Sequence, residues 1–225
     1  MRSGGPSERS PALVVFDWDG TLIDSIGAIV DCTYAMLEEL GLPRLDEERI
    51  RAFIGGGLEE SVVALAPDGD AAMVRQVVDT YRRLWFGGFH QRSTLIDGAL
   101  AVIDELEARG ALLAIATAKS RRGLIADLER TGLDGRFHAS RTADETAAKP
   151  SPAMLLEILD ELGVRAERAL MVGDALHDVG MAKNAGVEVV AVTSGSQTRE
   201  ALVNAGPTAC LGSVAELAEW LGPRA

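Results

Sequence analysis

Four short apolar runs, broken only by Glu188 in the last, constrain this chain more than any other feature: Ala12–Asp17, Ala111–Thr117, Ala169–Gly173 and Val187–Thr193. A strand that is apolar at successive positions, rather than at alternate ones, is covered on both faces. Helical periodicity fills the gaps between the runs. Asp97–Arg109 places Leu100, Ile103 and Leu106 on one face and stops at Gly110. Ser120–Thr131 stops at Gly132, and Leu176–Ala185 stops at Gly186. Ser151–Leu162 opens with Ser151 as an N-cap and Pro152 at the first helical position. Phe137–Ser140 reads as a short strand, and Gln197–Ala205, Thr208–Leu211 and Val214–Leu221 complete the series. Buried strands alternating with helices predict an α/β fold with a parallel sheet and helices on both faces.

Between residues 25 and 92 the alternation stops. Val30–Leu40, Asp46–Phe53, Leu58–Ala66 and Ala71–Phe86 read as consecutive helices, broken in the middle by Gly55-Gly56-Gly57. The expected organisation is a core of residues 12–24 and 93–225, a helical domain of residues 25–92 inserted into it, and a disordered tail of residues 1–11. That tail is rich in Ser, Gly, Pro and Arg and lacks the apolar centre of a signal peptide.

At 225 residues the chain can bury one sizeable core, with or without a smaller insert. A net charge of −12 disfavours nucleic acid and anionic membranes as partners. Cys32 and Cys210 are the only cysteines, which argues against a disulfide framework and for the cytoplasm. No apolar stretch is long enough for a membrane helix. Of the 22 basic residues only Lys119, Lys149 and Lys183 are lysines. In so Arg-biased a chain, a lysine marks a place where a compact ammonium is needed.

The chemistry lies where the strands end. Asp17 closes the first apolar run and Asp19 follows two residues later, on the same side if the chain stays extended. Two acids at the tip of a buried strand repel each other, so the pair needs a cation or a chemical use. Thr117 ends the next core strand, Lys149 lies in the loop after the third, and Asp174 follows the fourth, with Asp178 close behind. In an open parallel sheet these ends share one edge.

Asp17-Trp18-Asp19-Gly20-Thr21, then Thr117, Lys149 and Gly173-Asp174 with Asp178, each after its own strand, resemble in order the four motifs of the haloacid dehalogenase superfamily. The resemblance runs from about Ala12 to Leu221. It implies a Rossmann-like core with a helical cap inserted after the first motif, and Mg²⁺-dependent phosphoryl transfer through an aspartyl-phosphate. It implies that Asp17 is the nucleophile and Asp19 the general acid and base. The metal would be held by Asp17, the Asp19 main-chain carbonyl and Asp174, with Asp178 in support. Thr117, Ala118 and Lys149 would hold the phosphoryl group. Chain length and motif details look most like the phosphoglycolate phosphatase-like subgroup with a C1-type cap. Such a protein acts on a small phosphorylated metabolite, 2-phosphoglycolate-like or a sugar phosphate, as a monomer or homodimer.

Within that resemblance, Asp19 argues against a dehalogenase, which has no leaving alcohol to protonate. The absence of lysine between Ser25 and Arg92 argues against Schiff-base chemistry. A phosphomutase or pyrophosphatase of the same superfamily remains an alternative, as does a non-catalytic phosphate-binding regulator. Gly55 and Gly56 allow close approach to a ligand, or form a hinge. Trp18, between the two acids, is expected under the cap mouth or in the core. Lys119 either faces the substrate or does not. Arg121 and Arg122 are expected to be solvated, and His177 to be a polar neighbour rather than a ligand.

Overall fold

The computed structural model describes residues 11–65 and 70–223. The tail expected over residues 1–11 therefore falls, but for its last residue, outside the described residues, as does the expected helix end at Ala66. In chain order, β1 (Leu13–Phe16) is followed by the two-residue strand β2 (Ile23–Asp24). Four helices come next, α1 (Ile26–Glu39), α2 (Glu47–Phe53), α3 (Leu58–Leu65) and α4 (Ala71–Gly87), and then a second two-residue strand, β3 (Thr94–Leu95). Thereafter helix and strand alternate: α5 (Ala99–Ala108), β4 (Leu112–Thr117), α6 (Arg121–Thr131), β5 (Ala139–Thr142), α7 (Ala153–Leu162) and β6 (Ala169–Gly173). The chain finishes with α8 (Leu176–Ala185), β7 (Glu188–Val192), α9 (Arg199–Asn204), β8 (Ala209–Leu211) and α10 (Leu217–Leu221).

Six strands form one sheet in the order β5-β4-β1-β6-β7-β8, and every pairing is parallel. The strand period of two sorts their side chains onto two cores. Val14 and Phe16 point to the face covered by α5, α6 and α10, where they meet Ile103, Leu124 and Leu217. Leu13 and Val15 point to the other face, where α7, α8 and α9 bring Leu155, Val179 and Leu202. Continuous apolar strands are thus explained by a layer of helices on each side. From β1 the chain builds outward through β4 and β5, then restarts on the opposite flank with β6. The strand order reverses beside β1, which opens a crevice at the carboxyl end of that strand.

Elements α1–α4 pack on one another around Met36, Leu37, Val62, Val77 and Val78, with a second cluster of Ile26, Val30, Ile50 and Ile54. β2 and β3 pair antiparallel, Ile23 with Leu95 and Asp24 with Thr94, so the outgoing and returning connections run side by side. A ribbon of two residues per strand carries no periodicity, and its sequence gives no sign of it. α1 begins at Ile26, four residues before the expected start, because Gly27 in its first turn masks the pattern. α5 begins at Ala99 and buries Ala99, Val102, Ile103 and Leu106, whereas Leu100 faces solvent. The spacing of Leu100 with Ile103 and Leu106 is helical, but the buried stripe is centred one residue away.

Gly98 caps α5 in the left-handed region at φ 83°. A Cβ there would lie 2.7 Å from the Cβ of Ala215. Backbone strain and steric overlap therefore both select glycine. Gly98→Ala is expected to destabilise the protein by about 2 kcal/mol. Thermal unfolding measures this, and an unchanged midpoint would show that the α5–α10 corner relaxes freely.

Candidate active site

Asp17 directly follows β1. Its main-chain N–H donates to the Val172 carbonyl of β6 at 2.8 Å, which fixes the residue in the crevice. Lys149, from the loop between β5 and α7, places Nζ 2.7 Å from Asp17 Oδ1 and 2.6 Å from Asp178 Oδ1. Asp178, in the first turn of α8, takes the Ala175 N–H on Oδ2 at 3.0 Å. Asp174 directly follows β6 and accepts from the Thr21 hydroxyl at 3.1 Å and from the Ser196 N–H at 2.8 Å. All four charged groups are buried.

Carboxylate oxygens of Asp17, Asp174 and Asp178 lie within 4.8 Å of one another. Glycine makes the crowding possible. A Cβ on Gly20, at φ 81°, would lie 2.7 Å from Asp174 Oδ2, and one on Gly195 would overlap the same carboxylate. Three acids then face a single ammonium. Burial pushes the Asp17 carboxyl well above the usual range; Lys149 pulls it down, and the charges of Asp178 and Asp174 push it back up. Burial and the Asp178 charge raise Asp174 to about 6. Lys149 is lowered by burial but raised further by Asp17 and Asp178, so it stays charged. Asp17 Oδ2 is buried and has no hydrogen-bond partner among the described residues. An orphaned carboxylate oxygen in an oxygen-only, negatively charged cradle fits a hard divalent cation.

The Asp19 carboxylate stands apart from that cluster. Its Oδ1 accepts from the Ser25 hydroxyl at 2.7 Å and from Lys119 Nζ at 2.9 Å. Lys119 is buried, bridges to Asp127 at 3.3 Å and lies 4.9 Å from the centre of the Trp85 ring. Burial lowers its pKa, and Asp19 and Asp127 more than reverse that. Asp127 also accepts from the Trp18 indole N–H at 3.0 Å and from Arg130 at 3.0 Å. Trp18 is fully buried, edge-on to Phe137. Nothing in the sequence singled out Asp127, since one acid in an amphipathic helix reads as solvated. Ser25 and Ser196 were equally silent.

Thr117 is buried at the end of β4, and its hydroxyl accepts the Lys119 N–H at 3.2 Å. Ser120 caps α6, its hydroxyl accepting the Gly123 N–H. Arg121 is not simply solvated: it forks onto Glu145 and reaches the Ser140 hydroxyl, while Arg122 sits over the Phe86 ring. Asp17, Asp19, Thr117, Ala118 and Lys119 form one wall of a 470 Å³ cavity whose opposite wall comes from α1–α4. Gly55 and Gly56 line it too. Their close approach, however, is to the protein. A Cβ on Gly55, at φ 97°, would fall 2.6 Å from Ala175 Cβ, and one on Gly56 would touch His177.

Removing Lys149 leaves buried acids without a counter-charge. Lys149→Met is expected to cost about 3–5 kcal/mol at neutral pH. The loss should shrink on acidification, as Asp17 and Asp174, both raised, take up protons. A chemical-unfolding series over pH tests this; a loss independent of pH would mean packing, not charge, is what Lys149 supplies.

The chain matches the sequence profile described as "Haloacid dehalogenase-like hydrolase" over residues 14–192. It is 34% identical to a phosphoglycolate phosphatase of Rhodospirillum rubrum, over 94% of this chain and 91% of the relative. It is 35% identical to the "Probable phosphatase IndB" of Dickeya dadantii, over 91% of each chain. Its fold matches that of a haloacid dehalogenase-like family hydrolase of Streptococcus pneumoniae with a TM-score of 0.82, covering 94% of this chain and 98% of that one at 24% identity. An acid pair after the first strand, a second acid pair after β6 and a lysine that bridges Asp17 to Asp178, in a chain so matched along its length, make this protein a member of the haloacid dehalogenase-like hydrolase family.

Proposed function

We propose that this protein is a Mg²⁺-dependent phosphatase that hydrolyses a small phosphate monoester through an aspartyl-phosphate on Asp17. The observation that carries the reading is the unpartnered Asp17 Oδ2, set among Lys149, Asp174 and Asp178 beside the cavity that also holds Asp19 and Thr117. Relatives named as phosphatases at 34% and 35% identity support the same class of reaction.

In this reading an Asp17 oxygen attacks phosphorus and the bond from phosphorus to the ester oxygen breaks. Asp19 gives its proton to the departing alkoxide, which leaves as the alcohol. Asp19 then takes a proton from a water whose oxygen attacks the aspartyl-phosphate, releasing inorganic phosphate and restoring the Asp17 carboxylate. Ser25 and Lys119 hold the Asp19 carboxyl in place through both halves. Lys149 keeps Asp17 oriented and offsets charge at phosphorus. The Thr117 hydroxyl and the main chain at Ala118 hold phosphoryl oxygens. The metal would be held by Asp17, Asp174 and Asp178 with the Asp19 main-chain carbonyl. When bound it would neutralise the excess acid charge and polarise the phosphoryl oxygens. Residues 25–92 act as a cap on a core of residues 12–24 and 93–225, with the β2–β3 ribbon joining the two. Gly55 and Gly56 bring that cap down at the cavity rim.

Asp17→Asn should fold and yet lose about four orders of magnitude in kcat, since an amide is not a nucleophile here. Phosphate release from p-nitrophenyl phosphate measures this. Substantial turnover by the purified variant would assign the nucleophile elsewhere.

A second outcome concerns the acids. The Asp174 carboxyl titrates at about 6 in the folded protein, against 3.8 when free. Unfolding therefore releases a proton across that window, so this group's contribution to stability falls as pH rises through it. Mg²⁺ should raise the melting temperature, and more at neutral pH than near pH 5, while EDTA abolishes turnover. A Mg²⁺ effect equal at both pH values would argue against binding at these acids.

A further inference from the structure

We infer that the ester this enzyme hydrolyses carries an uncharged, largely apolar organic group, rather than a carboxylate or a sugar. The inference rests on the phosphatase reading and names the substrate class of that site. A phosphoryl group held against Asp17 leaves the alcohol on the Asp19 side, inside the 470 Å³ cavity. The wall facing it is built from Met36, Ile50, Phe53, Leu58, Val62 and Val77. Met36, Ile50, Val62 and Val77 are among the most buried side chains of α1–α4. Water in such a space is readily displaced by an apolar group and poorly replaced by a charged one.

Charge on the remaining wall points the same way. Among the described residues the cavity is lined by two cations, Lys119 and Arg82. Lys119 is held between Asp19 and Asp127. Arg82 is about half exposed, on the solvent side of the cavity, 3.8 Å from Glu59, which lines the same cavity. A substrate carboxylate would enter next to Asp17 and Asp19, where the cation at hand, Lys119, already serves two acids. Hydroxyl groups are scarce for a sugar. Thr33 donates to the Ile29 carbonyl and Ser61 to the Gly57 carbonyl, while the Thr117 and Ser120 hydroxyls, on the wall beside Asp17, accept the Lys119 and Gly123 N–H groups. Tyr81 is the exception: burial raises its pKa well above the ordinary value, so it stays a neutral hydroxyl. It offers one hydrogen bond, which suits one ether, carbonyl or hydroxyl on an otherwise apolar body.

The experiment compares kcat/KM of the full chain, with Mg²⁺, on benzyl phosphate, n-butyl phosphate, 2-phosphoglycolate and glucose 6-phosphate, read as inorganic phosphate released. Benzyl and butyl phosphate are expected to exceed the two polar esters by about tenfold or more. Met36→Lys, checked for folding, should move the benzyl-to-phosphoglycolate ratio toward phosphoglycolate by about tenfold. Wild-type ranking alone decides the matter if that variant does not fold. Should 2-phosphoglycolate or glucose 6-phosphate rank first, the substrate class is overturned while the phosphatase reading stands. If the folded, Mg²⁺-loaded protein releases phosphate from none of the four, both fall.

Discussion

Lys149 between Asp17 and Asp178 is the interaction on which the rest of this architecture depends. Its ammonium, fully buried, is the sole cation in contact with that acid cluster among the described residues. Coulomb attraction in a low-dielectric crevice holds the ends of β1 and α8 together through a side chain from a third segment. The parallel sheet exists to bring these three pieces to one edge. The Lys149 pair does not neutralise the site, however. An excess of negative charge is left over, and it raises both Asp17 and Asp174. A folded state that carries such a cost is one built to receive positive charge.

Two acids thus meet different environments within one turn. Asp17 shares an ammonium with a second acid and faces a third. Asp19, two residues on, is tied to Ser25 and to Lys119. Chemically similar groups are separated by what their neighbours donate, so two carboxylates of one short segment meet unlike surroundings. Trp18 between them points the other way, into the core, where its indole N–H secures Asp127 and so the far side of Lys119.

What was legible in the sequence was the part with a strong local signature. Asp17 and Asp174 stand out because each is a charge placed at the end of an apolar strand, where propensity and hydropathy both fail to explain it, and Lys149 because it is a lysine in an Arg-biased chain. The scarcity of lysine was informative: Lys149 is buried at the site and the Lys119 side chain beside it is only 8% exposed, whereas Lys183 is exposed and donates to a carbonyl at the end of α9. Asp127 was illegible because Arg130, three residues on, makes it read as an ordinary surface helix pair, while Trp18, the partner that buries it, lies 109 residues away. The β2–β3 ribbon is too short to carry a period. Gly55 and Gly56 could be read as flexible or as ligand-contacting, and only the position of Ala175 reveals the steric reason for Gly55.

That contact between Gly55 and Ala175 has a mechanical side. The helical segment touches the start of α8 through a bare main chain on one side and a single methyl group on the other. The His177 ring lies beside Gly56, and close by the Gln197 amide donates to the Arg51 carbonyl at 3.3 Å. Main chain, one methyl, one ring and one amide therefore set how near the two surfaces come at this point. A larger residue at Gly55 would act as a spacer and prop the seam open.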